Sequence, residues 1–233
     1  MLFFFSFFLL LLALPAVVPG IDLFVSGLFY RAGEGFFLAD NLILDLMHRV
    51  AVSGSRVLAV VCAVAAVGLW LRSRLSGQKG EGLFSAKAWI FLFLALVIGP
   101  GLVANVGFKD HWGRARPREI AEFRGAQAFS PALSPRFENR RTNGSFVCGD
   151  GAFGFFLPCF GYVVSRKAAR RVFWAGMAGG VTFSFVRLAV GAHFFGDIVY
   201  AAFFMLLVGA GLHAAMFGFE ETKARWRSFF SGA

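Results

Sequence analysis

Six apolar runs, each about as long as a bilayer core is thick, constrain this chain more than any other feature. They lie near 2–18, 50–71, 88–108, 146–164, 172–190 and 194–217. Hydrophobic residues make up 58% of the sequence and charged ones 15%, too little polar surface to clothe a water-soluble body of this size. The 32 phenylalanines suit a surface that meets acyl chains. Backbone polar groups cannot stay unpaired in hydrocarbon, and runs of this length pair them as helices. The expected fold is therefore all-α: a polytopic membrane protein with six transmembrane helices.

The first run ends in Ala13-Leu14-Pro15-Ala16, faintly like a signal cleavage site. No basic segment precedes it, so it is read as a retained helix. Residues 21–49 mix apolar positions with Asp22, Arg31, Glu34, Asp40 and Asp45, a pattern expected to lie along the membrane interface. Without a repeat or low-complexity linker, the chain reads as a single domain. Its parts are the first helix with the interfacial segment (1–49), the catalytic helical core (50–217) and a basic tail (218–233).

Loop charge orients the spans. Arg72, Arg74, Lys79 and Lys87 follow the second run, Arg166, Lys167, Arg170 and Arg171 the fourth, and Lys223, Arg225 and Arg227 the sixth. With six spans all three groups fall on one side, which makes that side and both termini cytoplasmic. The opposite side then carries the loop 109–141 with its eight lysines and arginines, an arrangement that suits a polyanionic ligand. The net charge of +10 fits anionic headgroups or a phosphorylated substrate. No basic, aromatic-interleaved soluble domain is present, so nucleic acid is not expected as a partner. Cys62, Cys148 and Cys159 lie in or beside apolar stretches without metal-ligand spacing and form no disulfide framework.

Three short elements fall at the outer ends of the last four runs. The first is Lys109-Asp-His-Trp-Gly-Arg-Ala-Arg116-Pro117. The second is Ser145-Phe-Val-Cys148-Gly149-Asp150-Gly151. The third runs from Arg187 through His193 to Asp197. His193 and Asp197 are four apart and share a helix face. A carboxylate bonded to one imidazole nitrogen fixes the tautomer and leaves the other nitrogen basic or nucleophilic. Ionisable groups at membrane depth are costly and mark function by default; the bland alternative is an ion pair pinning two helices. Lys109, Arg116 and Arg187 form a cationic clamp of the kind phosphoryl transfer needs, because the transition state spreads charge over three equatorial oxygens. Pro117 disfavours helix at Arg116, so this stretch is expected to leave the helix and fold over the site.

These elements resemble the motifs of the type 2 phosphatidic acid phosphatase (PAP2) family: Lys-x6-Arg-Pro, Pro-Ser-Gly-His and Ser-Arg-x5-His-x3-Asp. The resemblance covers roughly 88–217 and implies a PAP2-like helical bundle. It implies that His193 attacks phosphorus to form a phosphohistidine, with Asp197 orienting it. Lys109, Arg116, Arg187 and the backbone N–H of Gly149, beside Cys148, are then expected to hold the phosphate oxygens. No metal or other cofactor is implied. The first motif matches fully; in the third, Val186 stands where the family has serine; the second departs most, with Asp150 where the family's acid histidine stands. An aspartate beside three cations is a poor proton donor, since cations favour its ionised form. It is read as a catalytic group that activates water, with His111 as another candidate acid.

The sequence Ser145-Phe-Val-Cys-Gly-Asp150 is similar to the lipid A phosphatase branch of that family, which carries a carboxylate in the second motif. The expected activity is removal of the 1- or 4′-phosphate of lipid A at the periplasmic face of a bacterial inner membrane. His111, Arg114, Arg140 and Arg141 are expected headgroup contacts. Undecaprenyl pyrophosphate and phosphatidylglycerol phosphate are the alternative substrates. A non-catalytic lipid carrier and a lipid phosphotransferase are the readings from other classes. The pattern G-x-G-x-x-G at Gly149–Gly154 is discounted because no strand precedes it, and its small residues are read as allowing close helix packing. Gly99-Pro100-Gly101 is expected to mark a kink or a thinned helix in the third span, tolerable where neighbours satisfy the backbone. His48 and His213 are read as isolated structural residues, and the Asn143-Gly-Ser145 glycosylation pattern is given little weight.

Overall fold

The computed structural model describes residues 2–77, 80–139 and 144–230. The chain is mostly helical, with one small exception to the all-α expectation. Tyr30–Arg31 and Gly35–Phe36 form an antiparallel hairpin with Tyr30 opposite Phe36. Among the described residues four helices are long and apolar enough to cross a membrane: α3 (Leu42–Ser76), Ala86–Lys109, α7 (Arg166–Ala189) and α8 (Phe195–Phe217). The second run thus begins eight residues before its expected start at residue 50. Asn41 starts α3 by accepting the Ile43 and Leu44 N–H groups on its side chain, and Gly77 stops it at a φ of 68°. Its flank exposes Val57, Val60, Val64 and Val67, a lipid-facing stripe.

The first run is α1 (Leu2–Val17); α2 (Gly20–Gly27), in the segment expected along the interface, follows it at a bend of 97°. Pro19 begins α2, where proline's fixed φ suits a helix start. The fourth run differs from the straight span expected. It is a short composite of α5 (Gly149–Phe156), a tight turn over Leu157–Cys159 and α6 (Phe160–Val163). Pro158 lacks the N–H needed to continue α5 unbroken. This composite is enclosed by longer helices. A Cβ on Gly154 would meet the Gly180 Cα at 2.6 Å, and one on Gly176 the Pro158 nitrogen at 2.4 Å. Small residues therefore let α5 and α7 touch backbone to backbone.

The third run starts as α4 (Ala86–Leu96), capped by Ser85, and continues without a break as a π-helical segment, Val97–Lys109. Gly99-Pro100-Gly101 widens the helix rather than kinking it. The Asn105 side-chain amide reclaims the Pro100 carbonyl at 2.7 Å, and the missing Cβ of Gly99 admits the Met205 sulfur of α8. α9 (Phe219–Phe230) folds back so that Phe229 stacks on Phe173. Phe4 of α1 meets Phe230 and Trp174. These contacts close one end of the bundle.

Candidate active site

The corner between α7 and α8 is built around Gly191. Its φ of 66° favours glycine, and a Cβ there would strike the Phe36 ring at 2.5 Å. Phe36, at the open end of the hairpin, therefore seals this corner. Beyond it, Asp197 lies in the first turn of α8, where its Oδ2 accepts the Phe194 N–H at 2.9 Å. The same oxygen accepts the Ser145 hydroxyl at 2.6 Å. Backbone bonds draw all three motif segments together: the Ser145 N–H donates to the Arg114 carbonyl, the Cys148 N–H to the Asp197 carbonyl, and the Arg118 N–H to the Gly191 carbonyl.

His193 is 3% exposed. Its Nδ1 lies 2.6 Å from the Ser145 carbonyl oxygen and 3.6 Å from Asp197 Oδ2. The direct Asp197 hydrogen bond expected from spacing is thus replaced by a relay, in which Asp197 holds Ser145 and the Ser145 carbonyl holds the imidazole. A carbonyl only accepts, so Nδ1 carries the proton and Nε2 keeps a lone pair. Burial lowers the His193 pKa from its ordinary value against the pull of Asp197, and Arg116 and Arg187 lower it further.

Arg114, expected to contact a headgroup, is instead 0% exposed in the interior. Its guanidinium donates to Asp197 Oδ1 at 2.5 Å, Asp22 Oδ2 at 2.6 Å and the Ser130 carbonyl at 2.9 Å. It also stacks over the Phe194 ring at 4.3 Å. Asp22 in turn accepts the Gly196 N–H at 2.7 Å. Sequence reasoning placed Asp22 at the membrane interface; it is the fully buried second carboxylate of this network. A charged loop residue is ordinarily solvated, and nothing in local spacing tied Arg114 to a partner 92 residues away.

Lys109 ends the π-helical segment beside Gly144 and Gly149; a Cβ on Gly149 would lie 3.8 Å from its Nζ. Arg116 has the extended backbone that Pro117 imposes, and its N–H donates to the Glu119 carboxylate at 2.9 Å. Arg187, near the end of α7, reaches Asp150 with its Nε 3.7 Å from Oδ2, and that Nε is buried without a hydrogen bond. Lys109 lies within electrostatic range of Arg116, Arg187 and Asp150. Burial, then Arg118 and Arg187, lower Arg116 from the usual guanidinium value. Three mutually repelling cations beside one partnered carboxylate are suited to an anion with several oxygens.

Cys148 caps α5, its sulfur accepting the Gly151 N–H at 3.3 Å from a wholly buried position. His111 is exposed in the turn after the π-helical segment, with Nδ1 bonded to the Val106 carbonyl of that segment. Arg140, Arg141 and Asn143 lie outside the described residues. His48, read as isolated, is instead 2.6 Å from Asp150 Oδ2 through its Nδ1. No spacing rule links α3 to α5; the available sign was a second-motif carboxylate lacking a partner. His213 is structural as expected, bonded to the Thr222 hydroxyl at 2.7 Å far from these groups.

A family model described as PAP2 superfamily matches residues 87–221. The chain is 32% identical over 209 residues to "Lipid A 4'-phosphatase" of Francisella tularensis subsp. novicida (strain U112), covering 88% of this chain and 90% of that protein. It is 32% identical over 219 residues to proteins of the same name from Rhizobium leguminosarum and Rhizobium etli, covering 88% of this chain and 91% and 82% of theirs. No solved structure matches. The matched span contains the Lys109–Pro117 stretch, the Ser145–Gly151 turn and the Arg187–Asp197 corner, so this membrane-embedded chain belongs to the PAP2 superfamily.

Proposed function

We propose that the chain is a lipid A 4′-phosphatase of the bacterial inner membrane, working through a phosphohistidine at the periplasmic face. The observation that carries this reading is the His193 ring, whose Nδ1 is committed to the Ser145 carbonyl. Its Nε2 lone pair is thereby left free, within electrostatic range of Arg116 and Arg187. In this reading Nε2 bonds to phosphorus as the P–O bond to the sugar breaks. Lys109, Arg116, Arg187 and the Gly149 N–H take the non-bridging oxygens. Water then attacks phosphorus, the N–P bond breaks and inorganic phosphate leaves.

Six spans follow if the bent α1–α2 pair is one broken crossing and α5–α6 a short one. Both termini are then cytoplasmic, with the basic residues at the end of α3, at the start of α4, in the first turns of α7 and within α9 beside them. The relatives' names supply the substrate. An apolar groove of about 800 Å³ adds support. It is lined by Phe8, Met177, Val181, Phe185, Leu188 and Phe195, and the last two flank the α7–α8 corner. An amphipathic substrate can thus lay an acyl chain beside the protein while its phosphate meets His193.

The test is phosphate release in detergent from lipid A, undecaprenyl pyrophosphate, phosphatidylglycerol phosphate and phosphatidic acid, with His193→Ala beside the wild type. Lipid A should lose its 4′-phosphate, and the variant should be slower by about 10³-fold or more. Release from none of the four, or full activity of His193→Ala, would overturn the reading.

A further inference from the structure

We propose that His48, held by Asp150, is the proton donor to the leaving sugar oxygen, supplied from α3 in place of the missing second-motif histidine. The inference rests on the phosphohistidine reading above and adds to it the identity of the acid. A sugar oxygen leaving phosphorus is a poor leaving group unless it takes up a proton as the bond breaks. Asp150 occupies the motif position that should provide that proton. It is committed as an acceptor, with His48 Nδ1 at 2.6 Å and Arg187 Nε at 3.7 Å on the same oxygen, Oδ2. A carboxylate so placed orients an imidazole.

The two histidines of the site are wired in the same sense but to different acceptors. His193 gives its Nδ1 proton to a neutral backbone carbonyl, which suits a neutral, nucleophilic ring. His48 gives its Nδ1 proton to a carboxylate, the partner that orients an imidazole for proton transfer through Nε2. Paired groups with opposite surroundings are how one site holds an acid and a nucleophile together. The His48 side chain is 33% exposed against 10% for Asp150, so the imidazole rather than the carboxylate presents an open edge. Asn41 caps α3 two turns earlier, and neighbouring Arg49 is paired with Asp45 at 2.8 Å on the same helix. Among the described residues Arg187 on α7 lies 3.7 Å from the same Asp150 oxygen, and Lys109 at the end of the π-helical segment is within electrostatic range of Asp150.

The steps balance. His193 Nε2 forms the N–P bond, the P–O ester bond breaks, and the departing oxygen takes the proton from His48 Nε2. Water then gives a proton to the now neutral His48 Nε2 while its oxygen bonds to phosphorus and the N–P bond breaks. The products are the dephosphorylated lipid and phosphate, and His48 is again doubly protonated.

General acid catalysis matters in proportion to how badly the leaving group needs a proton, so the test compares two detergent-solubilised monoesters. One carries an alkyl leaving group and the other a nitrophenyl leaving group. His48→Asn should slow the alkyl ester by about 10²–10⁴-fold and the nitrophenyl ester by less than about tenfold; Asp150→Asn should show the same bias. A helix-pinning role would slow both equally, and equal losses in a protein that melts as the wild type does would overturn the proposal. His193→Ala should abolish both activities; if it does not, the phosphohistidine reading fails, whatever His48 does.

Discussion

Arg114→Met would remove the guanidinium that bridges two buried carboxylates. Arg114, Asp22 and Asp197 are each 0% exposed, and the guanidinium bonds both acids within 2.6 Å. Methionine fills much of the volume but none of the charge, so two carboxylates would be left buried and uncompensated. Removing one partner of a buried ion pair costs about 3–5 kcal/mol. For a chain of this size each kcal/mol lowers Tm by about 2–4 °C, so the midpoint should fall by about 6–20 °C. The assay is thermal unfolding in detergent, followed by tryptophan fluorescence. The informative comparison is the double variant Arg114→Met/Asp22→Asn, which removes the surplus negative charge as well. Asp197 would keep the Ser145 hydroxyl and the Phe194 N–H, so the double variant should be more stable than Arg114→Met alone, a coupling opposite in sign to simple addition of damage. A double variant equal to or less stable than the single one would refute the charge-balance reasoning.

Three further outcomes follow from the geometry. Ser145→Ala deletes a hydroxyl bonded to a buried carboxylate but keeps the carbonyl that holds His193; it should lose about 1.5–3 kcal/mol of stability while retaining more activity than His193→Ala, both read on one preparation. Because burial lowers the His193 pKa, its neutral form should persist as pH falls below the ordinary value of 6.5. The acid limb of kcat/KM on the nitrophenyl ester should then lie below pH 6.5. In the window between the lowered native pKa and 6.5 the unfolded chain binds the extra proton, so falling pH should also destabilise the fold there; an acid limb at or above 6.5 would contradict this. Gly154→Val would drive a side chain into the Gly180 backbone, 2.6 Å from the first added carbon, and should cost about 1–3 kcal/mol by the same melting assay.

What the sequence disclosed tracks the distance over which each interaction acts. Arg187, His193 and Asp197 fall within one corner, so their spacing alone brought them to one place. Arg116 was expected to leave the helix because Pro117 acts on its immediate neighbour, and it does. Asp22 and His48 were missed because their partners, Arg114 and Asp150, lie 92 and 102 residues away, and only the folded bundle sets those separations. Arg114 was misassigned for a related reason: a basic loop reads as solvated, and burial is decided by what packs over it. The fourth run was drawn as a full span because hydropathy averages composition and cannot see that Pro158 interrupts the helix. The widened turn after Leu96 likewise left no periodic signature, since the segment is apolar on most sides.

The brevity of the α5–α6 composite works as a depth gauge. At 1.5 Å per residue, 149–163 spans about 22 Å, against a hydrocarbon thickness of about 30 Å. In the orientation proposed above, Arg166, Lys167, Arg170 and Arg171, which follow its far end, hold that end at the cytoplasmic headgroups. The start of α5, with Gly149 and Asp150, then sits roughly 8 Å beneath the opposite headgroup plane by the same lengths. A phosphate reaches such a recess most readily when it is carried down on a molecule already seated in the leaflet, so immersion itself would discriminate against water-borne phosphate esters.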